Sequence, residues 1–204
     1  MQEVGKAVER SVGCAPCAPE GLLSRSACTF QGATMRWYAA YAGEGKEDAL
    51  ASTLASMLPS KVLAEAFCPK WEMLMKRRGE WIKVERAMFP GYVILASKDP
   101  RALARELSRL SFPVPVAGKR GRSLSSVEPE VQAWLERSLD VRHVLRASEG
   151  VIHAGELTVK RGPLQGSERQ VRKVDRHKSM AWIGLGNTDS QFLLRAALAV
   201  PKKD

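Results

Sequence analysis

The stretch that most limits how this chain can fold runs over residues 151–183, VIHAGELTVKRGPLQGSERQVRKVDRHKSMAWI. Its apolar runs are short. Ile152 and Leu157-Thr158-Val159 flank Gly155, and Gly162-Pro163-Leu164-Gln165-Gly166 interrupts the pattern. Val171 and Val174 then precede a last run, Met180-Ala181-Trp182-Ile183. Four helix breakers in so short a span exclude a continuous helix. The pattern reads as three short strands joined by two turns, in a small antiparallel barrel. Pro163 has no amide to give a central ladder and belongs in a turn or on an edge. Gly162 and Gly166 allow positive φ at little steric cost.

Charge adds a second constraint. Between residues 155 and 178, seven cations (Lys160, Arg161, Arg169, Arg172, Lys173, Arg176, Lys178) face Glu156, Glu168 and Asp175, a balance of +4. Such crowding is what a phosphate-binding surface requires, and a solvated basic face would look the same. The whole chain of 204 residues carries a net +10 and a pI near 9.7. That favours an acidic partner. Nucleic acid is expected ahead of a membrane, because no apolar run approaches the ~18 residues of a span. The length suits one or two domains.

The residues Gly155, Val159, Gly162-Pro163-Leu164, Gly166 and Glu168 carry a spacing that resembles a KOW motif. That motif marks SH3-like barrels in transcription elongation factors and some ribosomal proteins. Lys173-Val174-Asp175-Arg176-His177-Lys178 is similar to the ending found in specialised NusG paralogues, most closely those of LoaP type. Arg169 stands where KOW motifs often carry a further glycine.

Residues 1–34 differ from the rest in being rich in Ala, Ser, Gly, Pro and Cys, with cancelling charges and no periodicity. A disordered tail is expected, with Met35 as an alternative start. The tail has no continuous apolar centre of the kind a secretory signal needs. Cys14 and Cys17 form a CxxC pair, but only Cys28 is near and no His is, so the four ligands of a structural zinc are not assembled. Neither a metal nor any other cofactor is expected.

From Arg36 the pattern sharpens. Residues 36–41 read as an aromatic strand, and 46–58 as a helix with Leu50, Leu54, Met57 and Leu58 on one face, ended by Pro59. Residues 62–67 and 70–75 read as strands. Residues 76–80, Lys76-Arg77-Arg78-Gly79-Glu80, read as a charged hairpin loop, and 81–84 as the return strand. Phe89-Pro90-Gly91 turns into a fully buried strand. Asp99-Pro100 supplies an N-cap and a first-turn proline for a helix burying Leu103, Leu107 and Leu110. A third helix, 128–139, turns Val131, Trp134, Leu135 and Leu139 inward. This order predicts an α+β fold, helices flanking an antiparallel sheet.

The order and punctuation resemble the NusG N-terminal (NGN) domain. Trp37-Tyr38 opens the first strand, and a basic hairpin with Arg-Gly at its tip precedes Phe89-Pro90-Gly91-Tyr92-Val93. With the KOW match, the resemblance covers about 36–120 and 150–200 in the family's order. It divides the chain into a tail (1–34), an NGN-like RNA polymerase-binding domain (35–120), a helical connection and linker (121–147) and a KOW β-barrel (148–204).

The resemblance implies that the first domain docks on the clamp helices of RNA polymerase through an apolar depression. Trp37, Tyr38, Phe67, Phe89 and Tyr92 are the matching positions, and for Phe89 and Tyr92 a plain core role competes. The hairpin cations would lie near nucleic acid or simply in solvent, and contact with non-template DNA stays open. LoaP-like paralogues are processive antiterminators on selected long operons, which implies that the barrel binds a hairpin in nascent leader RNA. The expected RNA face is Lys160, Arg161, Lys173, Arg176, His177 and Lys178, since Arg and His stack on splayed bases while Lys mainly contacts phosphate. A cytoplasmic bacterial monomer is implied.

Housekeeping NusG, linking polymerase to Rho or the ribosome, is the nearest alternative. A ribosomal KOW protein is more distant, because the Phe89–Tyr92 string and the three helices argue against it. Catalysis is not expected. His143, His153 and His177 are not at metal-ligand spacing, and neither a P-loop nor G-x-S-x-G is present. Residues 192–200 have strong helical propensity, yet Phe192, Leu194, Leu198 and Val200 fall on alternate positions. The related factor RfaH refolds this region between a helical hairpin and a barrel. A stable strand is expected here.

Overall fold

Pro69 and the turns at Arg78-Gly79 and Ala154-Gly155 set where three pairs of strands break. The structure, a computed structural model, describes residues 35–116, 124, 126–186 and 193–200. The 1–34 tail with its three cysteines, and Phe192, lie outside the described residues.

In the first half, strand β1 (Arg36–Tyr41) is followed by helix α1 (Glu47–Met57), strands β2 (Glu65–Phe67), β3 (Lys70–Arg77), β4 (Glu80–Ala87) and β5 (Tyr92–Ser97), and helix α2 (Pro100–Ser108). Strand β5 is the centre of an antiparallel sheet of order β1-β5-β2. Side chains alternate across this sheet. Tyr38, Ala40, Val93 and Leu95 pack with Leu54, Leu58, Leu103 and Leu107 of α1 and α2. Trp37, Ala39, Tyr92, Ile94 and Ala96 share the opposite core with Val131, Trp134 and Leu135 of helix α3 (Pro129–Ser138). With a helix layer on each face, β5 is buried at every residue, which is why it reads as an unbroken apolar run.

The punctuation works as expected in places and differently in others. Asp99 Oδ1 accepts from the Arg101 and Ala102 amides at 2.9 and 3.0 Å, capping α2. Helix α1 stops at Leu58, before Pro59. Its buried face, however, is Glu47, Ala51 and Leu54, with Met57 50% exposed. At 100° per residue Met57 falls beyond the edge of the Leu54 stripe. Strand β2 begins only at Glu65, since 59–63 is taken up by a turn in which Val62 and Leu63 donate to the Pro59 carbonyl.

The single expected sheet is two. Pro69 offers no amide to continue β2 into β3. Strands β3 and β4 therefore form a separate ladder, joined in parallel by β6 (Val144–Leu145) in the order β4-β3-β6. The expected five-residue hairpin loop is also shorter. Lys76 and Arg77 are in β3 and Glu80 in β4, leaving a two-residue turn of Arg78 (φ 52) and Gly79 (φ 92). Two positive φ values match the right-handed twist of the flanking strands.

The second half is a five-stranded sheet of order β8-β7-β11-β10-β9, built from β7 (Ser148–His153), β8 (Glu156–Arg161), β9 (Val171–Asp175), β10 (Met180–Gly184) and β11 (Leu193–Ala199). Residues 151–183 thus contribute four strands, where three are expected from the pattern. Ala154 and Gly155, both at positive φ, make a tight turn of their own. The sheet is antiparallel except for the short β7–β11 pair, where Leu198 lies against Ser148 and Ala199 against Glu149. Strand β11 forms despite its helical propensity. Leu194, Ala196, Ala197 and Leu198 are buried, and burial in the ladder with β10 outweighs local preference. Val159, Leu164, Ile183 and Leu198 belong to the same apolar core as Trp37, Phe67 and Trp134. No helix among the described residues is long and apolar enough to cross a membrane.

Candidate docking face and nucleic-acid interface

The five aromatics expected to dock are buried: Trp37 is 7% exposed, Tyr38 3%, Phe67 6%, Phe89 3% and Tyr92 5%. They do not share a face. Trp37, Phe67, Phe89 and Tyr92 lie in the core that includes α3, and Tyr38 lies beneath α1 and α2. Trp37 meets Phe67 edge-on at 5.1 Å between centroids. Phe67 in turn stacks on the His143 imidazole at 3.7 Å, and His143 Nε2 is 2.6 Å from Glu65 Oε1. Helix α3 is tied to β1 by polar bonds. The Trp37 amide donates to Gln132 Oε1 at 3.2 Å, Gln132 Nε2 donates to the Met35 carbonyl at 3.0 Å, and the Val127 amide donates to the Trp37 carbonyl.

The Phe89–Tyr92 string is shaped by its glycine. Gly91 has φ 82, and a Cβ there would come within 2.9 Å of Tyr41 Cε2. Its amide donates to Glu47 Oε1 at 2.6 Å, which gives that buried carboxylate a partner.

Between the two halves, residues 140–147 form a charged clasp that the sequence pattern does not announce. Arg146 reaches Asp140, Glu72 and Glu85 at 2.6–2.9 Å. The second Glu72 oxygen accepts from the Ala147 amide at 2.8 Å. Burial alone would raise the Glu72 carboxyl, but the Ala147 amide, Arg146 and Lys83 together hold it below the ordinary range. Asp140 is lowered against the same burial penalty by the Val144 and Arg142 amides and by Arg146. Arg146 is raised, first by Glu72 and then by Asp140. The second tie is Trp134 Nε1 donating to Ser167 Oγ at 3.3 Å.

Of the expected RNA face, Lys173 is on β9, and Arg176, His177 and Lys178 form the exposed turn after it. The turn is held by Asp175 Oδ1, which accepts from the Lys178 amide at 3.0 Å. Lys160 and Arg161 are exposed on β8, at the other end of the strand order, and no ladder joins β8 to β9. Four of the six are thus on β9 and the turn after it, and two are on β8. The KOW-like residues serve the turn between these strands. Gly162 has φ 104, and a Cβ there would lie 2.6 Å from Ser148 Oγ. The Leu164 amide donates to that same oxygen. Glu168 accepts from the Val159 amide at 3.3 Å. Bonds from its own amide, and from those of Gly166 and Val159, lower its carboxyl despite burial.

At the other hairpin, Lys76, Arg77 and Arg78 are exposed and make no ion pair among the described residues, and neighbouring Trp81 is 53% exposed. Cys68 is buried, and burial, with Asp48 and Glu47 nearby, pushes its thiol up to about 12, which disfavours the thiolate. Sequence reasoning missed Glu47, Gln132 and Arg146, whose partners are distant in sequence. It also missed Trp182. The alternation Met180-Ala181-Trp182-Ile183 could have separated that ring from the core.

No protein-family model matches the chain. The chain is 28% identical over 153 residues to the transcription termination/antitermination protein NusG of Vibrio parahaemolyticus, covering 71% of this chain and 82% of that protein. The NusG of Vibrio cholerae matches to the same extent.

Proposed function

We propose that this chain is a NusG-type transcription factor of the specialised, LoaP-like kind. It binds RNA polymerase through its first half and promotes antitermination on selected operons, while its C-terminal sheet contacts leader RNA. The observation that carries the RNA half is the β9 turn. Lys173, Arg176, His177 and Lys178 follow one another along β9 and its turn, exposed, and Asp175 between them is engaged with a backbone amide. Cations held on a fixed turn offer phosphate contacts at little ordering cost. Similarity to two NusG proteins over 71% of the chain supports the polymerase half.

Polymerase docking is assigned to Trp37, Phe67, Phe89 and Tyr92, with Tyr38 supporting them from behind. Because α3 covers that face, docking through it requires α3 and the C-terminal sheet to be displaced. Aromatics released in this way would supply large contact area at low entropic cost.

Two measurements test the proposal. The purified chain should co-elute with core RNA polymerase, and absence of any association ends the reading. Replacing Lys173 and Arg176 with Ala should weaken binding to leader RNA and reduce its salt slope by about one per lost phosphate contact. An unchanged slope would move the RNA face elsewhere. The housekeeping reading, in which the C-terminal sheet meets Rho or the ribosome, is favoured by the similarity to termination/antitermination NusG proteins. It would be supported by binding to either partner without affinity for leader RNA.

A further inference from the structure

We infer that the outward face of β9, β10 and β11 is a stacking platform for unpaired RNA nucleotides, centred on Trp182. This inference rests on the RNA-binding reading above and gives it a site. In β10, Ala181 and Ile183 are fully buried, so Trp182 and Gly184 point the other way. The cross-strand register sets Lys173 and Arg195 on either side of Trp182. Lys173 Nζ stands 5.1 Å from the indole centroid. A register shift at Trp182/Ile183 gives β9 one extra residue, Arg172. Its side chain lies across Gly184, where a Cβ would come within 2.8 Å of Arg172 Nε. Arg172, Lys173 and Arg195 are all exposed and make no ion pair among the described residues. The expected RNA face included only Lys173 of these four residues.

The arrangement has a specific chemical use. An indole flanked by unpaired cations can hold a base on its π-face while the cations take the flanking phosphates. The Lys173 ammonium sits on a flexible stem and can leave the ring for a phosphate, giving up only its cation–π contact. A base inside a duplex is already stacked on its neighbours, and A-form RNA hides its major-groove edges. Only an unpaired base reaches Trp182. The platform adjoins the turn at Arg176, His177 and Lys178, so one strand could run from stacked bases onto that turn.

The test uses the full chain, a short fluorescent oligo(A), and a duplex RNA of equal length. Trp182→Ala should weaken oligo(A) binding by roughly fivefold or more, leave duplex binding and the salt slope unchanged, and be rescued largely by Trp182→Phe. Arg172→Ala or Arg195→Ala should instead lower the slope by about one. Equal losses on oligo(A) and duplex, or wild-type binding by Trp182→Ala, would overturn the platform and leave the RNA-binding reading intact. Tighter binding of oligo(dA) than of oligo(A) would overturn its assignment to RNA. A chain that binds no RNA at all would overturn both, and polymerase association would then decide the rest of the proposed function separately.

Discussion

Gly162 shows how much a single position can dictate here. Its φ of 104 is costly for any residue with a Cβ, and the Cβ would meet Ser148, which is fully buried. Gly162→Ala should therefore destabilise the protein by about 2 kcal/mol or more, combining backbone strain with overpacking. Urea denaturation would measure it, and a midpoint equal to wild type would show that the turn can relax. The identity and conformation of this glycine are legible in the sequence, because Gly-Pro between apolar runs has few other uses. Ser148, its partner, is not. Serine carries no pattern, and it is placed only by the strand that brings it there. Tyr92 is a case where position outranks type. It is 5% exposed with its ring 5.4 Å from that of Tyr41, so Tyr92→Ser should cost both stability and polymerase binding. A folded variant that still binds polymerase normally would reduce Tyr92 to core.

At the scale of elements, the clasp between β3 and β6 makes a prediction about acid. Glu72 and Asp140 have carboxyls lowered in the folded chain, so they bind protons less readily there than when unfolded. Their contribution is complete above the ordinary carboxyl range near pH ~4 and is lost as pH falls through their lowered folded values. Stability should fall as pH drops below about 4, and Glu72→Gln should flatten that dependence. An acid profile identical to wild type would mean the clasp is not coupled to folding. Most of the strands are marked in the sequence, and so is the Asp99 cap of α2. What could not be read was the split into two ladders. Pro69 marks a break, but β6 is two residues long and carries no periodicity of its own.

At the scale of the whole molecule, the proposed docking face and the proposed RNA face make opposite demands. The aromatics are covered by α3, while the β9 turn is exposed and Trp182 is half-buried beneath Lys173 in the same arrangement. Arg146→Ala removes charge-assisted bonds worth about 1.5–3 kcal/mol from the clasp. If that clasp keeps the first sheet covered, the variant should bind core polymerase several-fold more tightly, up to about 30-fold for 2 kcal/mol, without altered affinity for RNA. Weaker polymerase binding by a folded Arg146→Ala would show that the covered arrangement is the one that docks. The alternation of residue types and the placing of Gly and Pro determined, without any coordinates, that this chain makes an α+β first half and a β second half rich in cations. They did so because pleat, turn geometry and charge are local properties of a few consecutive residues. Only the tertiary structure decided that the two halves share one core, that Trp37 and Phe67 meet in it, and that Arg172, Lys173 and Arg195 gather around Trp182. Those facts depend on which distant surfaces meet, and packing between distant surfaces leaves no period in the sequence.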